Sequence, residues 1–163
     1  GIILSAKWSY YTHGYYDGSR VQMISEFEEG PYSLQGSRQS FKNGLSHTIN
    51  FYSNIGIPIF IISQPPHQKY HPRLVYFNKY RGRADIVEMS VNRKEFEGLE
   101  AFARTAFIQK SREINYVHSL DILCNNTTCP IGDDRGSYYY DENQLSEVGA
   151  RKLKILLKNI FVP

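Results

Sequence analysis

The run Ile57-Pro58-Ile59-Phe60-Ile61-Ile62-Ser63 constrains the fold more than any other stretch. It is strongly β-prone and apolar on both parities, so a strand built from it buries side chains on both faces of its sheet. That is the pattern of a central strand, and Gln64-Pro65-Pro66 stops it. Two weaker apolar runs flank it, Ile2 to Trp8 and Ile114 to His118. Between the runs, Phe41, Leu45, Ile49 and Tyr52 recur at helical spacing over 40–54, with Gly56 at the stop position. Leu99, Phe102, Ala103, Ala106, Phe107 and Lys110 mark a second amphipathic helix. A last helix starts near Gln144 or Leu145 and is expected to bury Val148, Leu153, Leu156, Leu157 and Ile160, with Gly149 and Ala150 permitting close packing. The alternation of strand and helix predicts an α/β domain with a parallel sheet and helices on its faces. Residues 9–38 and 65–95, rich in Gly, Ser, Tyr, Pro and His, are expected to be irregular.

With 163 residues and 41% hydrophobic content, one domain spanning 1–163 is expected. The formal charge of +3 comes from interspersed acids and bases, with no basic block to track a phosphate backbone, so nucleic acid is not an expected partner. No stretch reaches the roughly 20 apolar residues that span a bilayer, and the N-terminus lacks the charged-then-apolar pattern of a signal peptide. Any membrane attachment or export signal is therefore expected outside this chain. Tyr10-Tyr11, Tyr15-Tyr16 and Tyr138-Tyr139-Tyr140 cluster in polar surroundings, which suits either carbohydrate-binding surfaces or half-buried loop anchors.

Cys124 and Cys129 are separated by Asn-Asn-Thr-Thr, with neither a CxxC nor a neighbouring His pair that would suggest zinc. They read as a short-loop disulfide in an oxidising compartment, or as two free thiols in a cytosolic loop. His13, His47, His67 and His71 are expected at the surface, and none has metal-ligand spacing, so no metal is expected. Asp133-Asp134 between Gly132 and Gly136 reads as a turn in preference to a cation site.

Open α/β sheets place functional groups beyond the carboxyl ends of their strands. Here those places are Trp8, Gln64-Pro65-Pro66, and the stretch from Asp121 to Gly149. Within the last, Asp141-Glu142-Asn143-Gln144-Leu145-Ser146-Glu147-Val148-Gly149 resembles the terminal Asp-x-x-His-Leu-Ser-x-x-Gly block of SGNH hydrolases. Leu4-Ser5-Ala6-Lys7-Trp8, Gly56-Ile57-Pro58-Ile59, Leu123-Cys124 to Cys129 and Tyr140-Asp141, in that order, resemble one branch of that family, the periplasmic domains fused to integral-membrane acyltransferases. The resemblance implies a three-layer α/β/α sandwich of flavodoxin-like type whose Asp orients a His, the base for a Ser nucleophile. It also implies an oxyanion site of backbone amides with a Gly or Asn. Trp8 sits where many SGNH enzymes carry the Asn block, so its indole N–H is a candidate donor, beside a core or lid role.

Two departures bear on activity. Position 144 holds Gln where the family has His, and an amide takes no proton from a hydroxyl near neutral pH. The family's Gly-Asp-Ser block precedes the Trp8 strand and occurs nowhere here; Asp17-Gly18-Ser19 and Gly36-Ser37 have the wrong order. The chain is therefore expected to be the C-terminal portion of a domain that lacks its N-terminal strand or strands, and to be inactive as written. The resemblance implies that the complete protein, without a cofactor, passes an acetyl group through a Ser ester to a surface polysaccharide. The acyl donor would come from a membrane acyltransferase domain, at the periplasmic or extracytoplasmic face of the bacterial inner membrane. Alternatives are a carbohydrate esterase or deacetylase of the same fold, and an inactive glycan-binding or scaffolding domain. Gln144 itself reads as natural or as an engineered His→Gln change.

Overall fold

In the computed structural model the apolar run becomes the middle strand of a three-stranded parallel sheet. The structure describes residues 1–19, 21, 23–27 and 32–161, without the side chains of Asn159 and Phe161. Along the chain the elements are β1 (Ile2–Ser5), α1 (Ser9–Thr12), α2 (Leu34–Asn54), β2 (Ile59–Ile62), α3 (Pro72–Tyr80), β3 (Val91–Asn92) and α4 (Arg93–Gln109). They continue as β4 (Asn115–Val117), α5 (Leu120–Leu123), β5 (Thr128–Cys129), β6 (Gly132–Asp133), β7 (Gly136–Ser137), α6 (Glu147–Lys152) and α7 (Lys154–Phe161). The fold is α/β with a parallel sheet, as the alternation of the sequence requires. The chain forms two units, Gly1–Ser63 with Glu97–Val117, and Gln64–Phe96 with the segment from His118 onward.

The first unit carries the parallel sheet in the order β1-β2-β4, with Ile2 opposite Ile59, Leu4 opposite Ile61 and Ile61 opposite Tyr116. Ile59 and Ile61 are fully buried, packed with Phe41 and Ile49 of α2 and Ala103, Ala106 and Phe107 of α4. Both helices thus cover the same face of β2, the arrangement that two successive right-handed crossovers produce. Trp8 packs edge-on against Phe107 and Phe41, with ring centroids 5.2 and 6.2 Å away.

α2 starts at Leu34, six residues before the first residue of the expected 40–54 span. Apolar spacing misses this turn because its inward residue is polar. Ser37 is fully buried, its hydroxyl donating to the Tyr11 carbonyl at 2.7 Å and accepting from the Ile24 N–H at 3.1 Å. The Ser33 side chain caps the helix by accepting from Gly36 N–H at 3.0 Å. Of the region expected to be irregular before it, residues 20, 22 and 28–31 lie outside the described residues, and the remainder includes the single turn α1.

The second unit is built from short pieces. β3 pairs antiparallel with β5, and β6 with β7, each over two residues. The expectation of irregular structure across 65–95 is corrected by α3, which begins at Pro72. Proline at the first helical position needs no N–H partner and has its backbone torsion pre-set, so a residue that reads as a breaker here is a starter. His71 caps this helix, its Nδ1 accepting from Arg73 N–H at 3.2 Å. The last helix is divided at Leu153 into α6 and α7, with Ser146 as the cap of α6. Val148, expected inside, is 47% exposed, whereas Leu153 is buried. Gly149 meets its expectation: a Cβ there would lie 2.0 Å from the Tyr138 carbonyl oxygen. Ala150 is exposed.

Candidate functional site

The loop that precedes α6 carries the Asp-x-x-Gln motif, and backbone hydrogen bonds close it into a rigid unit. Tyr139 and Leu145 form an antiparallel bridge, Tyr140 N–H donates to the Gln144 carbonyl at 2.8 Å, and Ser146 N–H to the Tyr138 carbonyl at 2.9 Å. The Ser146 hydroxyl donates to the Ser137 carbonyl at 2.7 Å while accepting from Gly149 N–H at 3.2 Å, which ties the loop to the first turn of α6.

Inside this loop Asp141 Oδ1 accepts two backbone N–H groups, from Asn143 and from Gln144, each at 2.7 Å. This is an Asx turn. It brings Asp141 and Gln144 together and fixes the backbone of residue 144, whose side chain is exposed. Asp141 is thus a turn former five residues ahead of the Ser146 cap. The turn engages Oδ1 and leaves Oδ2 outside it. The Gln144 amide can only donate N–H or accept through its oxygen, and holds no basic nitrogen.

Gln68 anchors the loop from behind. It is 1% exposed; its N–H donates to the Glu142 carbonyl at 2.7 Å, its Nε2 to the Cys129 carbonyl at 3.0 Å, and its Oε1 accepts from Val91 N–H at 3.2 Å. Sequence reasoning missed this residue, whose only signal was its place two residues after the Pro65-Pro66 pair that follows β2. His67 beside it is 2% exposed, which corrects its expected surface position. Burial also pushes the Tyr139 hydroxyl well above the usual tyrosine range.

Cys124 and Cys129 form a disulfide with Cα atoms 3.9 Å apart. The intervening loop is organised by Asn125, whose Oδ1 accepts from Thr127 and Thr128 N–H at 2.9 and 2.8 Å. Asp133 and Asp134 are used in a turn and an ion pair. Asp133 accepts from Arg135 N–H at 2.8 Å and from the Tyr138 hydroxyl at 2.9 Å, and these bonds hold its carboxyl below the usual range. Asp134 pairs with Lys79. Tyr76, which donates to the Asp133 carbonyl at 2.8 Å, is pushed up to about 12 by burial and by the Asp133 charge.

Trp8 belongs to the sheet-bearing unit. Its indole N–H donates to the Ile62 carbonyl at 2.9 Å, so the proton considered for an oxyanion site is already committed to the end of β2. The ring, with Tyr11, Phe41 and Leu45, lines an apolar cavity of about 360 Å³. Trp8 therefore acts here as a packing and lining group.

Residues 1–159 match the family model described as an SGNH domain fused to AT3 domains. Among solved structures, the periplasmic domain of a lipopolysaccharide acetyltransferase from Salmonella ser. Paratyphi A is similar, with a TM-score of 0.61 and 16% sequence identity. The likeness covers 91% of this chain and 60% of that one, so the chain spans less than two thirds of its structural neighbour. At this identity the likeness establishes the fold. No curated protein matches. Among the described residues, no helix is long and apolar enough to cross a membrane.

Proposed function

We propose, from the premise that this chain belongs to the family of SGNH domains fused to AT3 domains, that it serves an extracytoplasmic domain that O-acetylates a bacterial surface polysaccharide. The observation that carries the reading is the Asp141 turn. One carboxylate oxygen accepts the N–H groups of residues 143 and 144, each at 2.7 Å, and the other stays outside that turn. An imidazole at 144 would donate Nδ1–H to that oxygen and present Nε2 as a base. With His at 144 and a Ser nucleophile, that base would take the proton of the Ser hydroxyl as its oxygen attacks the acyl carbonyl, and would return it to the donor's departing group. A sugar hydroxyl would then attack the Ser ester and lose its proton to the same base, which returns it to the Ser oxygen as the Ser–acyl bond breaks and the acetylated glycan departs. The membrane acyltransferase domain supplies the acyl donor and the polysaccharide is the acceptor. The disulfide supports a periplasmic setting, since such bonds persist in oxidising compartments.

The chain as it stands holds neither a Gly-Asp-Ser block nor a base at 144. The experiment is hydrolysis of p-nitrophenyl acetate by the full-length protein, with Gln144 and with Gln144→His. The expected gain is roughly hundredfold, the usual worth of a general base. Background rates in both forms, with a Gly-Asp-Ser block present upstream, would reject acyl transfer. Gln144 itself favours a second reading, a domain that binds glycan without turning it over, and glycan binding with no gain from Gln144→His would select it.

A further inference from the structure

The sheet-bearing unit holds a second cavity, of about 330 Å³, whose chemistry differs from the apolar one beside Trp8. Its lining includes His13, Arg38, Lys42, Gly98, Phe102 and Thr105, and no carboxylate. α2 supplies Arg38 and Lys42 one turn apart, where two like charges repel. Both cations lie over one aromatic ring: the Arg38 guanidinium is 5.0 Å and the Lys42 ammonium 5.1 Å from the Phe102 ring centroid. α4 contributes Gly98 and Thr105 to the lining, and a Cβ added at Gly98 would meet nothing within 4 Å.

The donors are oriented. Arg38 Nε donates to the Thr12 carbonyl at 2.7 Å, which sets the guanidinium plane and leaves its two Nη groups for another acceptor. His13 Nδ1 lies 3.0 Å from the Tyr15 carbonyl, and because a carbonyl only accepts, Nδ1 carries a proton there and Nε2 is left over. Among the described residues, no carboxylate forms an ion pair with Arg38 or Lys42. A planar, anchored guanidinium beside an ammonium matches an oxyanion, which it can bind bidentately. The volume falls within the range of small-ligand sites.

We infer that the His13–Arg38–Lys42 cavity binds the anionic group of an acidic sugar, a carboxylate or a phosphate, and so anchors an acidic polysaccharide to this domain. The anion chemistry belongs to the cavity alone; that the anion is carried by a sugar rests on the polysaccharide reading above. The test is equilibrium binding of digalacturonate, glucose 1-phosphate, inorganic phosphate and neutral maltose to the full-length protein at low salt. At least one acidic saccharide is expected to bind, more tightly than inorganic phosphate, and maltose is expected not to. Arg38→Gln with Lys42→Gln should weaken that binding tenfold or more at unchanged Tm. If that pair disturbs folding, the exposed Lys42→Glu alone should weaken it by reversing one charge. Binding of one acidic saccharide and not the other upholds the proposal and identifies the anion. Equal binding of maltose, phosphate as tight as the sugars, no binding by either acidic saccharide, or full affinity in the variants would overturn it. Because binding is measured without acyl transfer, such a failure would leave the acyl-transfer reading standing.

Discussion

The two units of the chain are each ordered by apolar burial, but side-chain bonds to backbone play a larger part in the second. In the first, a parallel sheet buries Ile59 and Ile61 under Phe41, Ile49, Ala106 and Phe107, and apolar burial supplies the cohesion. The second has paired strands of only two residues each and a smaller cluster of Val75, Ile86, Ile131, Tyr138 and Tyr139. There, burial of Val91, Phe96, Leu120 and Ile131 is joined by side chains bonded to backbone at Gln68, Asp133, Asp141 and Ser146, and by one disulfide. The contrast teaches that the framework and the candidate site respond to different perturbations: the first to lost volume, the second to lost bonds.

Ile61→Ala should be the most damaging single change, costing about 2–5 kcal/mol, because the cavity left at a fully packed site adds to the lost transfer energy. Hydrogen exchange should register the loss first in β1, β2 and β4. Gln68→Ala should cost about 2–3 kcal/mol by stranding the Val91 N–H and the Cys129 carbonyl, and its exchange signature should fall in β3, β5 and the 141–144 turn. Replacing both Cys124 and Cys129 by Ser should cost about 2 kcal/mol, since the bridge closes a loop of only a few residues, and denaturant midpoints would measure it. The smallest effect is tied to pH. Hydrogen bonds from Arg135 N–H, and then from the Tyr138 hydroxyl, lower the Asp133 pKa in the folded state. The stabilisation they bring is therefore present above the ordinary carboxylate pKa, and is lost as pH falls through the depressed folded value. Asp133→Asn should remove that acid-limb dependence, and an acid titration of Tyr138 exchange and fluorescence would reveal it.

What could be read in the sequence divides along the same line. β2 was legible because apolar residues on both parities leave little choice but a central strand, and the cores of α2 and α4 because Phe41, Ile49, Ala103 and Phe107 repeat at helical spacing. The first turns of α2 were not, because Ser37 is buried through hydrogen bonds and leaves no apolar trace. α3 was hidden by Pro72, whose meaning depends on whether it stands first in a helix or within one. At the site, the Asp141 to Gly149 motif gave the family, and the Gly149 contact with Tyr138 explains why that position excludes a side chain. Gln68 stayed invisible because its partners are backbone groups 23 and 61 residues away. The role suggested for Trp8 met a partner no pattern could supply, the Ile62 carbonyl.

The central claim is that the Asp141 turn is built to orient a base at position 144. The most direct test is Asp141→Asn, introduced into the full-length protein with Gln144 and again with Gln144→His, following p-nitrophenyl acetate turnover and Tm in each. Asn keeps an oxygen to accept the Asn143 and Gln144 N–H groups but loses the charge that would steady an imidazolium. The account predicts similar, small Tm shifts in both backgrounds and a tenfold or greater fall in kcat/KM only where His occupies 144. Equal turnover with and without the Asp141 charge in the His background would contradict it, and would leave Asp141 as a turn former alone.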